Sequence, residues 1–263
     1  MDNHASPVPR FRLIRSLDRK NAAAGIIGTF DEGLALHQNG DFTFGFIDRS
    51  GNIRIPHAYN DATSFHCGAA CVKDDRGWFL INTGGECISF DYFDDMPFIS
   101  EGIVCFRKEN LYGYATVGGD PVTDARFANA FPFHSGFAAV EVNGEAGFIS
   151  RDGNMAVAPH FDPPNPGRLG AYTFQDGFAA VAVDGRYGYI DTNGEWIIPP
   201  SFKAASLFRD GVATVAASGG KTAITPDGES LFSPVGADIG LFFGGLAGFR
   251  PSRAVDCCGV IRK

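Results

Sequence analysis

The chain alternates short apolar runs with polar pairs that favour tight turns. The clearest copy, residues 177–211, has apolar runs at 178–183, 187–190 and 196–198, with Asp184-Gly185 and Asn193-Gly194 between them. Asp-Gly and Asn-Gly tolerate positive φ at both central positions of a two-residue hairpin turn. Pro199-Pro200 follows the third run and cannot donate to a strand ladder. The pattern therefore predicts three short antiparallel strands followed by a connecting segment.

This unit recurs along most of the chain at a nearly constant spacing. Seven repeat glycines are separated by 35, 34, 34, 41, 34 and 34 residues, and each follows an apolar residue by three positions. They are Gly33, Gly68, Gly102, Gly136, Gly177, Gly211 and Gly245, after Phe30, Phe65, Ile99, Phe133, Phe174, Phe208 and Phe242. Units of this length bury an apolar face by stacking on neighbours. The sequence predicts an all-β domain of tandem antiparallel repeats of about 34 residues, with the phenylalanine column buried.

The two ends of the chain leave two architectures open. We divide it into an N-terminal partial repeat (1–32), six tandem repeats (33–245) and a C-terminal partial repeat (246–263), all in one structural domain. If the partial repeats complete one another, about seven units form a propeller-like ring. If instead they cap the ends, the array is an open β superhelix. We favour the ring, because the N-terminal part resembles the later strands of a repeat and the C-terminal part resembles the first.

Four strings share the core of one repeat family. They are FGFIDRSG (44–51), YGYATVGG (112–119), AGFISRDG (146–153) and YGYIDTNG (187–194). They resemble the WGYID..G core of the WG-repeat family, although Phe44, Tyr112 and Tyr187 replace the tryptophan, and Trp78 precedes Phe79 rather than glycine. The resemblance implies an all-β repeat array, often in bacterial proteins. It implies no single activity and offers no catalytic motif to transfer.

Charge and composition narrow the classes of partner. A net charge of −8 and a pI near 5.2 argue against binding to nucleic acid or to an anionic membrane. The first residues, MDNHASPVPRFRLIRS, lack the apolar core of a signal peptide, so we expect a cytoplasmic protein with reduced cysteines. Cys71 and Cys105 share one repeat position that elsewhere holds alanine or threonine, and we expect both to be buried.

Three sets of residues have features of chemical sites, and we expect each to be structural. VAASGGKT (215–222) lacks the first glycine of a phosphate-binding loop and coincides with a hairpin turn. Asp91, Asp94 and Asp95 lack the spacing of a calcium loop. His66 and His134 lie on different repeats, so their convergence on one metal is not expected. We predict no catalytic residue, no metal and no cofactor.

The predicted function is a non-enzymatic interaction module that binds a protein partner. A carbohydrate-binding repeat protein is the alternative, followed by a propeller-type hydrolase. The gap of 41 residues places a seven-residue excess within DPPNPGRLGAY (162–172), which should project as a loop. Insertions in repeat proteins often lie on the binding face. Proline limits the entropy lost on binding, and arginine and tyrosine often anchor interfaces. The predicted contacts are therefore Pro164, Arg168 and Tyr172.

Overall fold

A computed structural model of the chain describes residues 25–89, 91–164, 172–233, 237–239, 246–251 and 259–262. These residues contain 24 β-strands and no helix. The strands form seven separate antiparallel sheets of three or four strands. The prediction of an all-β chain built from tandem antiparallel units is confirmed.

The sheets follow the order of the chain. Sheet 1 contains β1 (Gly25–Asp31), β2 (Leu34–Gln38), β3 (Phe44–Asp48) and β4 (Ile53–Tyr59); sheet 2 contains β5 (Asp61–Ala62), β6 (Ala69–Asp74) and β7 (Gly77–Asn82). Sheet 3 contains β8 (Phe98–Ser100), β9 (Ile103–Lys108), β10 (Leu111–Thr116) and β11 (Pro121–Phe127); sheet 4 contains β12 (Asn129–Ala130), β13 (Phe137–Val142), β14 (Glu145–Ser150) and β15 (Met155–Phe161). Sheet 5 contains β16 (Ala179–Val183), β17 (Arg186–Ile190) and β18 (Trp196–Phe202); sheet 6 contains β19 (Ala204–Ala205), β20 (Ala213–Ala217) and β21 (Gly220–Ile224); sheet 7 contains β22 (Ala237–Ile239), β23 (Leu246–Pro251) and β24 (Gly259–Arg262).

The repeat glycine is the second residue of a tight turn that leads into the first strand of its unit. In the third unit, Glu101 and Gly102 have φ of 52° and 75°, and Ser100 pairs with Ile103 across them. Positive φ at both central positions defines a type I′ turn. This turn folds the connecting segment back along the first strand, so the segment adds a short edge strand such as β8 or β12. Sheets 1, 3 and 4 thus have a fourth strand that the sequence pattern did not predict.

The glycine of the WG pair lies beneath a bulge in the third strand. In sheet 4, Phe148 pairs with Val157 and Ala146 pairs with Phe161, so β15 carries two more residues than β14 between these pairs. A Cβ on Gly147 would lie 2.6 Å from the Val157 carbonyl oxygen. Similar backbone contacts surround Gly45, Gly113 and Gly188. Only glycine leaves room for the bulged strand.

The second unit departs from this arrangement because Phe79 occupies the glycine position. Its ring packs against Tyr59 and Tyr92, at centroid distances of 6.0 and 5.4 Å. No regular third strand pairs with β7 in the described part of sheet 2, where only the isolated bridges Trp78–Phe93 and Ile81–Cys87 occur. A side chain at this position fills the space that the bulged strand takes elsewhere. The chain therefore reaches the third unit through a longer irregular segment.

The core lies between consecutive sheets. Six hydrophobic clusters are present, and each combines buried residues from two sheets that are neighbours in the chain. Phe65, Phe133, Phe174 and Phe208 of the predicted column are buried, whereas Phe30 and Ile99 are partly exposed. The prediction that Cys71 and Cys105 are buried is confirmed, and burial raises the pKa of each thiol to about 12. Stacking of neighbours thus supplies the burial that one unit lacks.

Closure of the array is still a prediction. Sheet 7 consists of three strands from the C-terminal part, and β1 pairs with β2 in sheet 1. Within the described ranges, no sheet joins an N-terminal strand to a C-terminal one. Most of the N-terminal partial repeat, residues 1–24, lies outside the described residues. No membrane-spanning helix is found in the part of the chain that the structure describes.

Candidate functional site

The predicted insertion lies between two backbone hydrogen bonds that have equivalents in sheet 4. The Asp162 N–H donates to the Ala182 carbonyl at 2.9 Å, and the Tyr172 N–H donates to the Ala180 carbonyl at 2.8 Å. The matching bonds in sheet 4 run from Ala128 and Phe131, and they enclose only the two residues of β12. Nine residues, 163–171, therefore lie between these two positions, compared with two in sheet 4, which locates the excess of seven residues.

Tyr172 is a core residue rather than a surface anchor. Its side chain is 3 % exposed, and its ring stacks on Phe148 at a centroid distance of 6.5 Å. Its hydroxyl donates to the Asp162 carbonyl at 2.6 Å and accepts from the Ala182 N–H at 3.0 Å. Burial raises the pKa of Tyr172 to about 12, which keeps the hydroxyl protonated as a donor. The hydroxyl thus satisfies the Ala182 N–H, and the residue does not lie at the surface as a partner contact requires.

The other residues of the predicted loop site have different positions. Pro164 is buried, and Arg168 lies in the segment 165–171, outside the described residues. The Asp162 carboxylate accepts from the Asp184 and Gly185 N–H groups at 3.2 and 2.7 Å, and so supports the next hairpin turn. Both ends of the stretch 162–172 are therefore parts of the scaffold. The hypothesis of a contact at Arg168 stays a prediction.

A cleft opens between the connecting segments of the second and third units. Its volume is about 370 Å³, within the range typical of ligand sites. The lining residues are Asp31, Thr63, Ser64, Phe65, His66, Cys71, Met96, Pro97, Phe98 and Ile99. Phe65 and Cys71 are buried in its wall, whereas Met96 and Phe98 are 38 % and 53 % exposed. The cleft thus combines a packed apolar wall with an accessible apolar rim.

The rim residues depart from the repeat pattern. The position of Met96 is alanine in the neighbouring units, at Ala62, Ala130 and Ala205, and the position of Phe98 is held by Ser64, Pro132, Thr173 and Leu207. Aligning the units on the repeat glycines reveals both departures, so this signal was present in the sequence. The pattern does not by itself indicate a site, because large apolar residues next to the buried column also fit a core role.

One carboxylate lies in the lining of the cleft. Asp31 accepts from the Thr29 hydroxyl at 2.9 Å, and no lysine or arginine of the described residues lies within 4.0 Å of it. The neighbouring Glu32 is engaged differently, because its carboxylate accepts from the Gly68 N–H at 2.7 Å. The cleft therefore presents a negative group beside aromatic and aliphatic surface.

Residues 215–222 and two of the three clustered aspartates have identifiable contacts. Residues 215–222 lie within the β20–β21 hairpin, where Ala217 pairs with Gly220, so the prediction of a turn is confirmed. Asp91 forms an ion pair with Lys108, and Asp95 lies 3.9 Å from Arg107. In the described ranges, no three His, Cys, Asp or Glu side chains are grouped to bind a metal ion.

Two histidines of sheet 1 form a pair that the sequence did not suggest. His37 Nδ1 and His57 Nε2 are 2.7 Å apart, and His37 is buried. Burial lowers the pKa of both imidazoles below the usual 6.5, and the neighbouring His57 lowers that of His37 further. A hydrogen bond between two imidazole nitrogens requires one of them to be unprotonated. The contact between His37 and His57 therefore favours the neutral form of the imidazoles.

This pair predicts a loss of stability in mild acid. A histidine whose pKa is lower in the folded state favours folding above its unfolded value of 6.5, and that contribution is lost as the pH falls through the folded value. The free energy of unfolding should therefore decrease between about pH 7 and about pH 5. The double variant His37→Gln/His57→Gln should reduce this slope, whereas His160→Gln, at an exposed site, should not. Urea denaturation at several pH values measures the effect, and equal slopes in all three proteins would contradict it.

Several solved structures are similar to the chain at low sequence identity. Hsv2 from Kluyveromyces lactis is 10 % identical over 86 % of this chain and 88 % of that chain, with a TM-score of 0.46. BamB from Moraxella catarrhalis is 15 % identical over 74 % and 67 %, with a TM-score of 0.40, and the WD40 domain of SCAP from fission yeast is 11 % identical over 91 % and 69 %, with a TM-score of 0.30. These scores are below 0.5, so they indicate nothing about function. No curated protein matches the chain.

The repeat itself identifies the family. The family model described as "WG containing repeat" matches residues 44–78, 112–145, 147–187 and 187–221, which together are more than half of the chain. The interval between the first two matches includes Phe79, where the glycine of the pair is lost and the third strand is irregular. This confirms the resemblance found in the sequence strings. The chain belongs to the family of WG-repeat proteins.

Proposed function

We propose that this protein is a non-enzymatic interaction module that binds a protein partner, in a bacterial cytoplasm. The observation that supports the proposal is the accessible apolar rim of the cleft, where Phe98 is 53 % and Met96 38 % exposed. Aromatic residues and methionine are enriched at protein interfaces. A partner that covers this rim would remove apolar surface from water.

Contacts within the protein itself fix the backbone of the rim. Phe98 lies in β8 and pairs with Cys105 of β9, and the Cys71 thiol donates to the Pro97 carbonyl at 3.5 Å. A rigid binding surface loses little conformational entropy on association. The segment is thus suited to act as a small preorganised anchor site.

The composition of the rim favours a protein over a carbohydrate. A repeat protein that stacks sugar rings would be expected to present aromatic residues at one position in several units. Here Phe98 is aromatic, but its equivalents are Ser64, Pro132, Thr173 and Leu207. A hydrolase would be expected to direct at least two carboxylates at one mouth. Among the described residues that line the cleft, Asp31 supplies one.

The test is affinity capture by the tagged full-length chain from a lysate of the encoding organism, followed by mass spectrometry, beside a glycan array. A purified captured protein should bind Phe98→Ala at least about tenfold more weakly, since central aromatic anchors often contribute 2 kcal/mol or more. Phe42→Ala is the matched control, because Phe42 is 65 % exposed and does not line the cleft. Binding of glycans alone would overturn the proposal.

A second variant separates the cleft from the inserted loop. Replacing residues 163–171 with Asn-Ala, as in β12, removes Arg168 but keeps the Asp162 and Tyr172 anchors. Long surface loops cost little to shorten, so the variant should remain folded. If it loses the partner while Phe98→Ala keeps it, the binding site is the loop and not the cleft.

A further inference from the structure

We propose that the cleft receives an arginine side chain of the protein partner. This inference rests on the proposed function and specifies the chemistry of its central contact. The cleft offers two features that an arginine side chain matches, a carboxylate without a cationic partner among the described residues and an apolar wall beside it. Neither a purely aliphatic nor an acidic side chain matches both.

The charge of the site favours a cation. Among the ten residues of the lining there is one acidic side chain, Asp31, and no lysine or arginine. Glu32, the next residue in the chain, is also acidic, and the whole chain carries a net charge of −8. A charged group that approaches this surface is attracted if it is positive and repelled if it is negative.

The apolar wall favours arginine among the cations. Phe98 offers an exposed ring, and Phe65, Pro97 and Ile99 continue the apolar surface into the cleft. A guanidinium can donate two parallel hydrogen bonds to one carboxylate and can also stack on an aromatic face. Its three methylene groups suit the aliphatic wall. Lysine provides a point charge without the planar stacking surface.

The test uses the full-length ¹⁵N-labelled chain and a small probe, N-acetyl-L-arginine methylamide, followed by NMR. The matched control probe is the citrulline derivative, which has nearly the same shape but no charge. The arginine probe should shift the amide signals of residues 63–66 and of Met96, Phe98 and Ile99, and it should bind at least about tenfold more tightly than the citrulline probe. Added salt should weaken the binding.

Substitution at the carboxylate gives the second arm. Asp31→Asn keeps an acceptor for Thr29 and should weaken binding of the arginine probe at least about tenfold. Asp41→Asn removes an exposed carboxylate outside the cleft and should have no effect. Unchanged spectra outside the cleft show that Asp31→Asn is folded. Equal shifts with both probes, or undiminished binding to folded Asp31→Asn, would overturn the proposal.

The two proposals fail in different ways. If a captured partner depends on Phe98 but the arginine probe does not bind, the cleft is an interface and the inference about arginine is wrong. If the arginine probe binds in a manner that depends on Asp31 but only glycans are captured, the cleft chemistry is correct and the proposed protein partner is wrong.

Discussion

Phe208→Ala is expected to lower the free energy of unfolding by about 3–5 kcal/mol, the range typical of a phenylalanine removed from a core. Phe208 is fully buried and lies between sheets 5 and 6. Its ring packs against Phe178 and Tyr189, at centroid distances of 5.1 and 4.6 Å. Alanine would leave a cavity that these two rings cannot fill without moving, because Tyr189 is also held by a hydrogen bond from its hydroxyl to the Ser206 carbonyl.

Urea denaturation followed by tryptophan fluorescence and circular dichroism measures this change. Phe42→Ala is the control, because it removes the same atoms from a side chain that is 65 % exposed, and its effect should be within about 0.5 kcal/mol. If the two variants have equal stability, the phenylalanine column does not form the core between the sheets.

Gly119→Ala is expected to destabilise the protein by more than about 2 kcal/mol, whereas Gly118→Ala, one residue earlier, should change stability by no more than about 0.5 kcal/mol. Gly119 has a φ of 93°, and a Cβ there would lie 2.2 Å from the Ile88 carbonyl oxygen. Both the left-handed backbone and the contact with the preceding unit therefore exclude a side chain. At Gly118 the nearest atom would be the Thr116 hydroxyl at 3.5 Å.

The two neighbouring glycines are a matched comparison, since they lie in the same turn and each substitution adds the same methyl group. Thermal and urea unfolding of both variants provide the measurement. If Gly118→Ala proves as harmful as Gly119→Ala, the loss comes from the turn in general and not from the contact with Ile88.

The sequence predicted the regular parts of the fold because local chemistry determines them. Pairs such as Asn143-Gly144 and Asp184-Gly185 turn the chain wherever they occur, and both show positive φ at the two positions. The recurring glycines and phenylalanines then located the repeat. The added edge strands were missed because β5, β12 and β19 contain only two residues each and carry no apolar pattern of their own.

The candidate site was less predictable because it depends on contacts between units. The sequence pattern places Tyr172 in a loop, yet it is buried. Its hydroxyl bonds the backbone of Asp162 and Ala182, and these contacts exist only in the assembled sheet. The accessibility of Phe98 and the solitary Asp31 carboxylate likewise follow from how two connecting segments lie beside each other. Pro164 also proved to be buried, which a proline in a polar stretch does not indicate.

In the second to sixth units, the glycine of the second turn contacts the preceding unit, and these contacts all run in one direction along the chain. Gly85, Gly119, Gly153, Gly194 and Gly228 face Ile55, Ile88, Val122, Val157 and Ile198, which all come earlier in the chain. Each short edge strand likewise precedes the strand that it pairs with. A unit leaving the ribosome therefore finds its docking surface already synthesised, and the described sheets can assemble one by one behind the growing end without waiting for distant sequence.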